Sequence, residues 1–190
     1  MRSLHVGTLC LLVLVTAMPA AAAAPAGWLL AGSDPSSYQI ERDAGVAHGG
    51  KASGRLASTA ASAGFGTMMQ SFDAGEYRGK RLRLSTWVKS RDVKRWAGVW
   101  MRVDGANHQT LAFDNMQDRA IKATKDWTRC DIVLDVADAA TGIFFGILLD
   151  GEGTVWLNDV QFQVVDHSVP TTSSIPATQP KQPTNLDFGS

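Results

Sequence analysis

The stretch Gly79–Asp114, GKRLRLSTWVKSRDVKRWAGVWMRVDGANHQTLAFD, decides the fold. Between Lys80 and Ser90 the residues alternate. Leu82, Leu84, Thr86 and Val88 share one side, and Arg81, Arg83, Ser85, Trp87 and Lys89 share the other. The pattern returns in Ala97–Asp104, where Val99, Met101 and Val103 oppose Gly98, Trp100, Arg102 and Asp104. Successive side chains of a strand point to opposite faces, so a period of two predicts half-buried strands. The apolar set is a core face. The second set carries a tryptophan on each strand among charged and polar neighbours, which is the make-up of a binding face. Ser90–Arg95 reads as a charged connection between the two strands.

The same reading extends to both sides of this stretch. Upstream, Trp28 precedes a turn at Ser33-Asp34-Pro35 and short strands at Tyr38–Arg42, Ser53–Ser58 and Gly66–Phe72. Downstream, Gln109–Phe113 is a strand, Gln117–Lys125 reads as an irregular connection, and Trp127–Val136 alternates strictly, with Thr128, Cys130, Ile132, Leu134 and Val136 on the core side. Gly142–Leu149 is apolar throughout and predicts a strand covered on both faces. Thr154–Val165 is the last long strand, with Val155 and Leu157 opposite Trp156, Asn158, Val160 and Phe162. No long stretch has a helical period. Eight or nine short strands with Gly, Asp and Pro turns predict an all-β chain, a sandwich or barrel.

Residues 1–23 read as a signal peptide: Arg2, an apolar run from Val6 to Ala17, and small residues at Ala20–Ala23. The run is too short to span a bilayer, so the expectation is export to the periplasm or beyond, with no membrane span after cleavage. Residues 24–166 form the sandwich module, 167–183 a Ser/Thr/Pro-rich linker, and 184–190 a strand-like tail around Asn185-Leu186-Asp187-Phe188. The chain has 18 basic and 18 acidic residues, a net charge of +0. That balance argues against nucleic acid as a partner. Only Cys130 remains after cleavage, so it makes no intramolecular disulfide, and its core-side position predicts a buried thiol.

The order of Gly27-Trp28, Gly50-Lys51-Ala52-Ser53-Gly54-Arg55-Leu56, Lys80–Lys89 and Val155-Trp156-Leu157-Asn158-Asp159-Val160 resembles the jelly-roll carbohydrate-binding modules with a galactose-binding-like fold. The resemblance covers almost all of Gly27–Val165. It implies a jelly-roll β-sandwich of two antiparallel sheets and a glycan or oligosaccharide as partner. A narrower resemblance, carried by Gly98–Asp104 and Phe113–Met116, is to an uncharacterised bacterial group of such domains, found alone or attached to regulators and hydrolases. One feature departs from the pattern: the opening Asn-Leu-x-Phe strand is missing before Gly27, and a matching one stands at Asn185–Phe188. It is a vestige of a second module, a strand that folds back, or one donated to a neighbouring molecule; fold-back is the favoured reading.

Sugars present apolar C–H faces ringed by hydroxyls, so a site for them needs aromatic platforms beside charged or amide groups. Trp87, Trp100, Arg83, Arg102, Gln70 and Asp114 supply both if their strands are neighbours. The plain alternative is that the tryptophans pack under a loop, and that Asp114 caps its turn. Trp28, Trp127 and Trp156 read as core or edge packing. The resemblance also implies a structural calcium, whose oxygen ligands would come from Asp159 with Asn158 or Asp43. The sequence has no G-x-S-x-G, H-E-x-x-H or C-x-x-C, and His48, His108 and His167 fall in loops at non-motif spacing. Glu41, Glu76 and Glu152 sit in or near turns, leaving Asp104 with Asp114 as the one conceivable carboxylate pair. The expectation is a non-catalytic carbohydrate-binding module. The alternatives are a periplasmic protein-interaction module that assembles through its C-terminal strand, and a small glycan hydrolase.

Overall fold

The computed structural model of the chain describes residues 24–172. The expected leader, most of the linker and the strand-like tail fall outside these residues. Nine strands carry the fold: β1 (Leu29–Gly32), β2 (Tyr38–Asp43), β3 (Ser53–Ser58), β4 (Phe65–Asp73), β5 (Lys80–Asp104), β6 (Thr110–Asp114), β7 (Ile121–Val136), β8 (Gly142–Asp150) and β9 (Thr154–Val165). Helical structure among the described residues is limited to short 3-10 turns. No helix there is long and apolar enough to cross a membrane.

The strands form two antiparallel layers. The first has the order β2-β3-β9-β5-β7, and the second the order β1-β4-β8-β5-β6. Strand β5 belongs to both. Its residues 80–91 pair with β7 and β9, and its residues 96–104 pair with β8 and β6. The stretch expected to be two strands and a charged connection is thus one bent strand of 25 residues. The bend falls on the charged residues, where the register with β7 shifts three times and Asp92 takes a left-handed φ of 55°. Extra residues of this kind kink and twist a strand without ending its pairing.

Both alternating sets face as the period of two predicts. Leu82, Leu84 and Val88 from one half, and Val99, Met101 and Val103 from the other, are all buried in the shared core. Met68, Ile132, Leu134, Ile143, Ile147 and Leu149 close it from the flanking strands. Truncating any of these to alanine costs about 2–5 kcal/mol.

Four expectations change. Strand β1 was not anticipated; it pairs with β4 and completes the edge of the second layer. Strand β7 begins at Ile121, because its first residues continue the pairing past the bend of β5. Strand β8 is not covered on both faces: Phe144 is half-exposed on the outer side, over a groove. In β9 the alternation reverses midway. Trp87 pairs with Asn158 and Ser85 with Gln161, so two steps on β5 oppose three on β9. The extra residue is Asp159, at a φ of 52°. This bulge turns Val160 and Phe162 inward, on the same side as Val155 and Leu157, where Phe162 meets Phe72 and Phe145 edge to face.

After β9 the chain folds along the free edge of β7. Arg81, which pairs with Asp135, donates to the carbonyls of His167 (2.8 Å) and Val169 (2.5 Å). The Thr172 N–H donates to the Val133 carbonyl (2.8 Å), and the Val133 N–H to the Thr172 hydroxyl (3.0 Å).

Cys130 is 4% exposed on the core side of β7. Burial pushes its thiol up to about 11, because the low dielectric penalises the thiolate. The unfolded thiol titrates near ~8.5. Its contribution to stability is therefore full below the unfolded value and lost as pH rises through the folded one, since the unfolded chain ionises first. Iodoacetamide at about pH 8 is expected to leave Cys130 unmodified in the folded protein and to alkylate it in urea. Cys130→Ala should remove part of the alkaline fall in stability. Rapid alkylation of the folded protein would mean an accessible thiolate instead.

Candidate functional site

The outer face of the second layer carries a groove of about 560 Å³. Its lining follows the sheet register. Trp96 on β5 stands beside Asp150 on β8 and Phe65 on β4. Trp100 stands beside Gly146 and Met69, and Arg102 beside Phe144 with Phe113 on β6. Six residues separate Trp96 from Arg102, so the floor runs ~20 Å along the strands at ~3.3 Å per residue.

Glycines leave room for two of the aromatic rings. A Cβ at Gly98 would come within 3.2 Å of the Trp96 ring and 2.4 Å of the Asn115 carbonyl oxygen. One at Gly142 would come within 3.2 Å of the Phe144 ring. Trp100 Nε1 donates to Thr67 Oγ1 (2.8 Å), which donates in turn to the Ile147 carbonyl (3.0 Å). The indole therefore reaches from β5 across β8 to β4. At 7% exposure Trp100 is the floor of the groove, and the exposed Phe65 with the half-exposed Trp96, Phe144 and Phe113 are its accessible aromatic surface.

Two charged side chains enter the groove. Arg102 donates through Nε and Nη2 to the two carboxylate oxygens of Asp104, at 2.8 Å each, and its guanidinium lies 4.9 Å above the centre of the Phe144 ring. Asp150 accepts from Arg95 Nη2 at 2.5 Å, and the same nitrogen donates to the carbonyls of Ala63 and Gly64.

The six residues read from the sequence do not share one face. Trp100 and Arg102 line the groove. Trp87 and Arg83 lie on the outer face of the first layer, because the bend in β5 sends its two halves to opposite sides of the sandwich. Gln70 pairs with the core-facing Phe145, and its amide lies by Gly27 at the end of the sandwich. Asp114 is 2% exposed; it accepts from the Met116 N–H (2.8 Å) and pairs with Arg119 (2.5 Å), so it caps the turn after β6. Asp104 and Asp114 fall on opposite faces of the sheet, each held by its own arginine, and form no facing carboxylate pair. Trp96, Phe65, Phe113, Asn115, Phe144 and Asp150 were missed. The signal available for Phe144 was its setting between Gly142 and Gly146 on an otherwise apolar strand.

On the first layer, Trp87 is covered. The His48 ring stacks on it at 4.0 Å between centroids and 18° between planes, with Trp127 edge-on at 5.6 Å. His48 Nδ1 is 2.9 Å from Asp159 Oδ2, so the bulge residue also anchors the loop that brings His48 in. His48 is therefore not simply solvated. Trp28 meets Phe145 edge-on, and Trp156 is buried beneath Arg91, with its Nε1 donating to Asp43 Oδ2 at 2.8 Å.

The oxygen donors read as calcium ligands are each engaged by other groups of the chain. Asp43 serves Trp156 and the N–H groups of Gly45 and Val46, Asp159 serves His48, and Asn158 donates to Ala52 and Ser53. Burial works to raise Asp43, but these donors and the Arg55 charge outweigh it and hold the carboxyl below its ordinary value. Among the described residues no group of three or more His, Cys, Asp or Glu is placed to hold a metal ion.

His48→Ala should uncover Trp87. The expected outcome is a red shift of tryptophan emission with a stability loss of about 0.5–1.5 kcal/mol, the worth of one aromatic pair. An unchanged spectrum would mean that the stack does not persist in solution.

No family model matches the chain. It is 46% identical over 165 residues to YbfP, an uncharacterized HTH-type transcriptional regulator of Bacillus subtilis; the match takes in 85% of this chain and 56% of YbfP. The chain thus spans a little over half the length of that curated relative. Among solved structures it is similar to the CBM22-1 xylan-binding domain of Paenibacillus barcinonensis Xyn10C, with a TM-score of 0.53 at 15% identity over 75% of this chain and 88% of that one. It is also similar to the C-terminal family 22 carbohydrate binding module of Clostridium thermocellum Xyn10B, with a TM-score of 0.51 at 11% identity over 73% of this chain and 86% of that one. At these identities the likeness speaks of fold alone. The chain has the jelly-roll β-sandwich fold of such carbohydrate-binding modules.

Proposed function

We propose that this chain is an exported, non-catalytic module that binds carbohydrate in the groove of its second layer. The observation that carries the reading is the groove itself: aromatic side chains along its length, with a fixed guanidinium at one end and a fixed carboxylate at the other. Aromatic rings suit the C–H faces of pyranoses, and the two polar groups suit their hydroxyls. The fold neighbours, one named for binding xylan, point the same way. The leader-like residues 1–23 support export. The separation of Asp104 from Asp114, each held by an arginine, supports binding without hydrolysis.

A second reading has one observation in its favour. The 46% identity to a transcriptional regulator suits a module whose occupancy is reported to a partner protein. That role needs the same groove and differs only in having the bound state recognised by another protein.

The test is titration of the purified chain with soluble xylan and a panel of other polysaccharides, read by tryptophan emission. A saturable hit is expected. Trp96→Ala and Phe144→Ala should each weaken it about tenfold or more, equivalent to about 1.4 kcal/mol, whereas Trp87→Ala should leave it within about twofold. Loss of binding on Trp87→Ala, with Trp96→Ala silent, would move the site to the first layer. A folded protein that binds no glycan would overturn both readings.

A further inference from the structure

The charges of the groove extend the sugar-site reading to the class of sugar, and the inference rests on that reading. Arg102 and Asp150 are the charged side chains that line it. Each is cancelled from within the protein. Asp104, 2% exposed and outside the lining, takes the Nε and Nη2 protons on one edge of the Arg102 guanidinium. Arg95, anchored on the Ala63 and Gly64 carbonyls, takes one oxygen of Asp150. The whole chain is also balanced, at a net charge of +0, so no excess charge of either sign draws ions to it.

These pairs treat charged and uncharged sugars differently. A sugar hydroxyl can accept from the guanidinium N–H groups that Asp104 leaves free, or donate to the second oxygen of Asp150. It needs no net charge to do so. A sugar carboxylate at Arg102 would meet a cation already matched by Asp104 and would sit against that like charge. It would also be stripped of water over an aromatic floor, a cost that only an unmatched partner repays. A cationic amino sugar meets the same obstacle at Asp150, from Arg95.

We propose that the groove selects uncharged glycans, and that Asp104 and Arg95 set this selectivity as positioning residues by cancelling Arg102 and Asp150. Removing either cancelling charge creates an ionic subsite: anionic at Arg102 without Asp104, cationic at Asp150 without Arg95.

The experiment is calorimetric titration of the full chain with uncharged hexasaccharides of xylose, glucose and galactose, with hexagalacturonate, and with the glucosamine hexamer. Each is run at about 50 and 500 mM NaCl on the wild type, Asp104→Asn and Arg95→Gln. The wild type should bind at least one uncharged hexasaccharide with a Kd that moves less than about twofold with salt, and both ionic ligands at least about tenfold more weakly. Asp104→Asn should gain about tenfold for hexagalacturonate at low salt and lose it at high salt. Arg95→Gln should do the same for the glucosamine hexamer. Wild-type preference for an ionic hexamer, or wild-type selectivity in a folded Asp104→Asn, overturns the proposal and leaves sugar binding standing. If Asp104→Asn does not fold, Arg95→Gln, whose site is exposed, decides alone, and unchanged selectivity there is a refutation. Binding of none of the five ligands by the wild type removes the sugar reading together with the proposal.

Discussion

One strand, β5, is hydrogen-bonded into both layers, and the rest of the molecule is arranged by that constraint. A strand has two edges and two faces. Along residues 80–91 the edges of β5 are taken by β7 and β9, and along residues 96–104 by β6 and β8. Its inner face is continuous through the bend, so Leu82, Leu84, Val88, Val99, Met101 and Val103 fill one core from both sides. Its outer face is divided. The bend that closes the sandwich also puts Trp87 on the opposite side of the molecule from Trp96 and Trp100.

That division explains what could be read from the sequence and what could not. The period of two reports which residues of a strand face the core, and it did so for the core side of both halves of β5 and of β7. It does not report which sheet a strand joins. The charged run Ser90–Arg95 has the composition of a loop, yet it is a bend that keeps its pairing, because bulges absorb the turn. The reversal in β9 is a failure of the same kind. One extra residue at Asp159 costs the ladder little, but it moves every later side chain to the other face, and nothing in the local composition announces it. The groove was half legible. Trp100 and Arg102 stood out as an aromatic and a charge on an alternating strand. Phe144 and Leu148 were hidden in a continuous apolar run, and Trp96 in a run of charges.

The two outer faces show how the same residue types serve different ends. On the first layer, Trp87 has a ring stacked on it by its own chain, and Arg81, Lys89 and Arg129 are engaged by Asp135, Asp126 and Asp131. The partners there lie on the surface, and such pairs contribute little to stability. On the second layer the partner of Arg102, Asp104, is buried, so the guanidinium is held in place with part of its hydrogen-bonding capacity open. The two faces thus differ not in composition but in where the counter-charge of their arginines stands.

The pairing order also governs how the chain can fold as it is made. β5 pairs with no strand that precedes it: its four partners all come later in the chain, the last ending at Val165. The strands before it form only two isolated couples, β1 with β4 and β2 with β3, whose remaining neighbours are β8 and β9. Two-stranded couples of this kind are at best marginal in water. A chain emerging from its N-terminus therefore has no completed layer until its last two strands arrive, and the longest strand waits for them with one edge bare. Folding is close to all-or-none and late, dominated by pairings far apart in sequence.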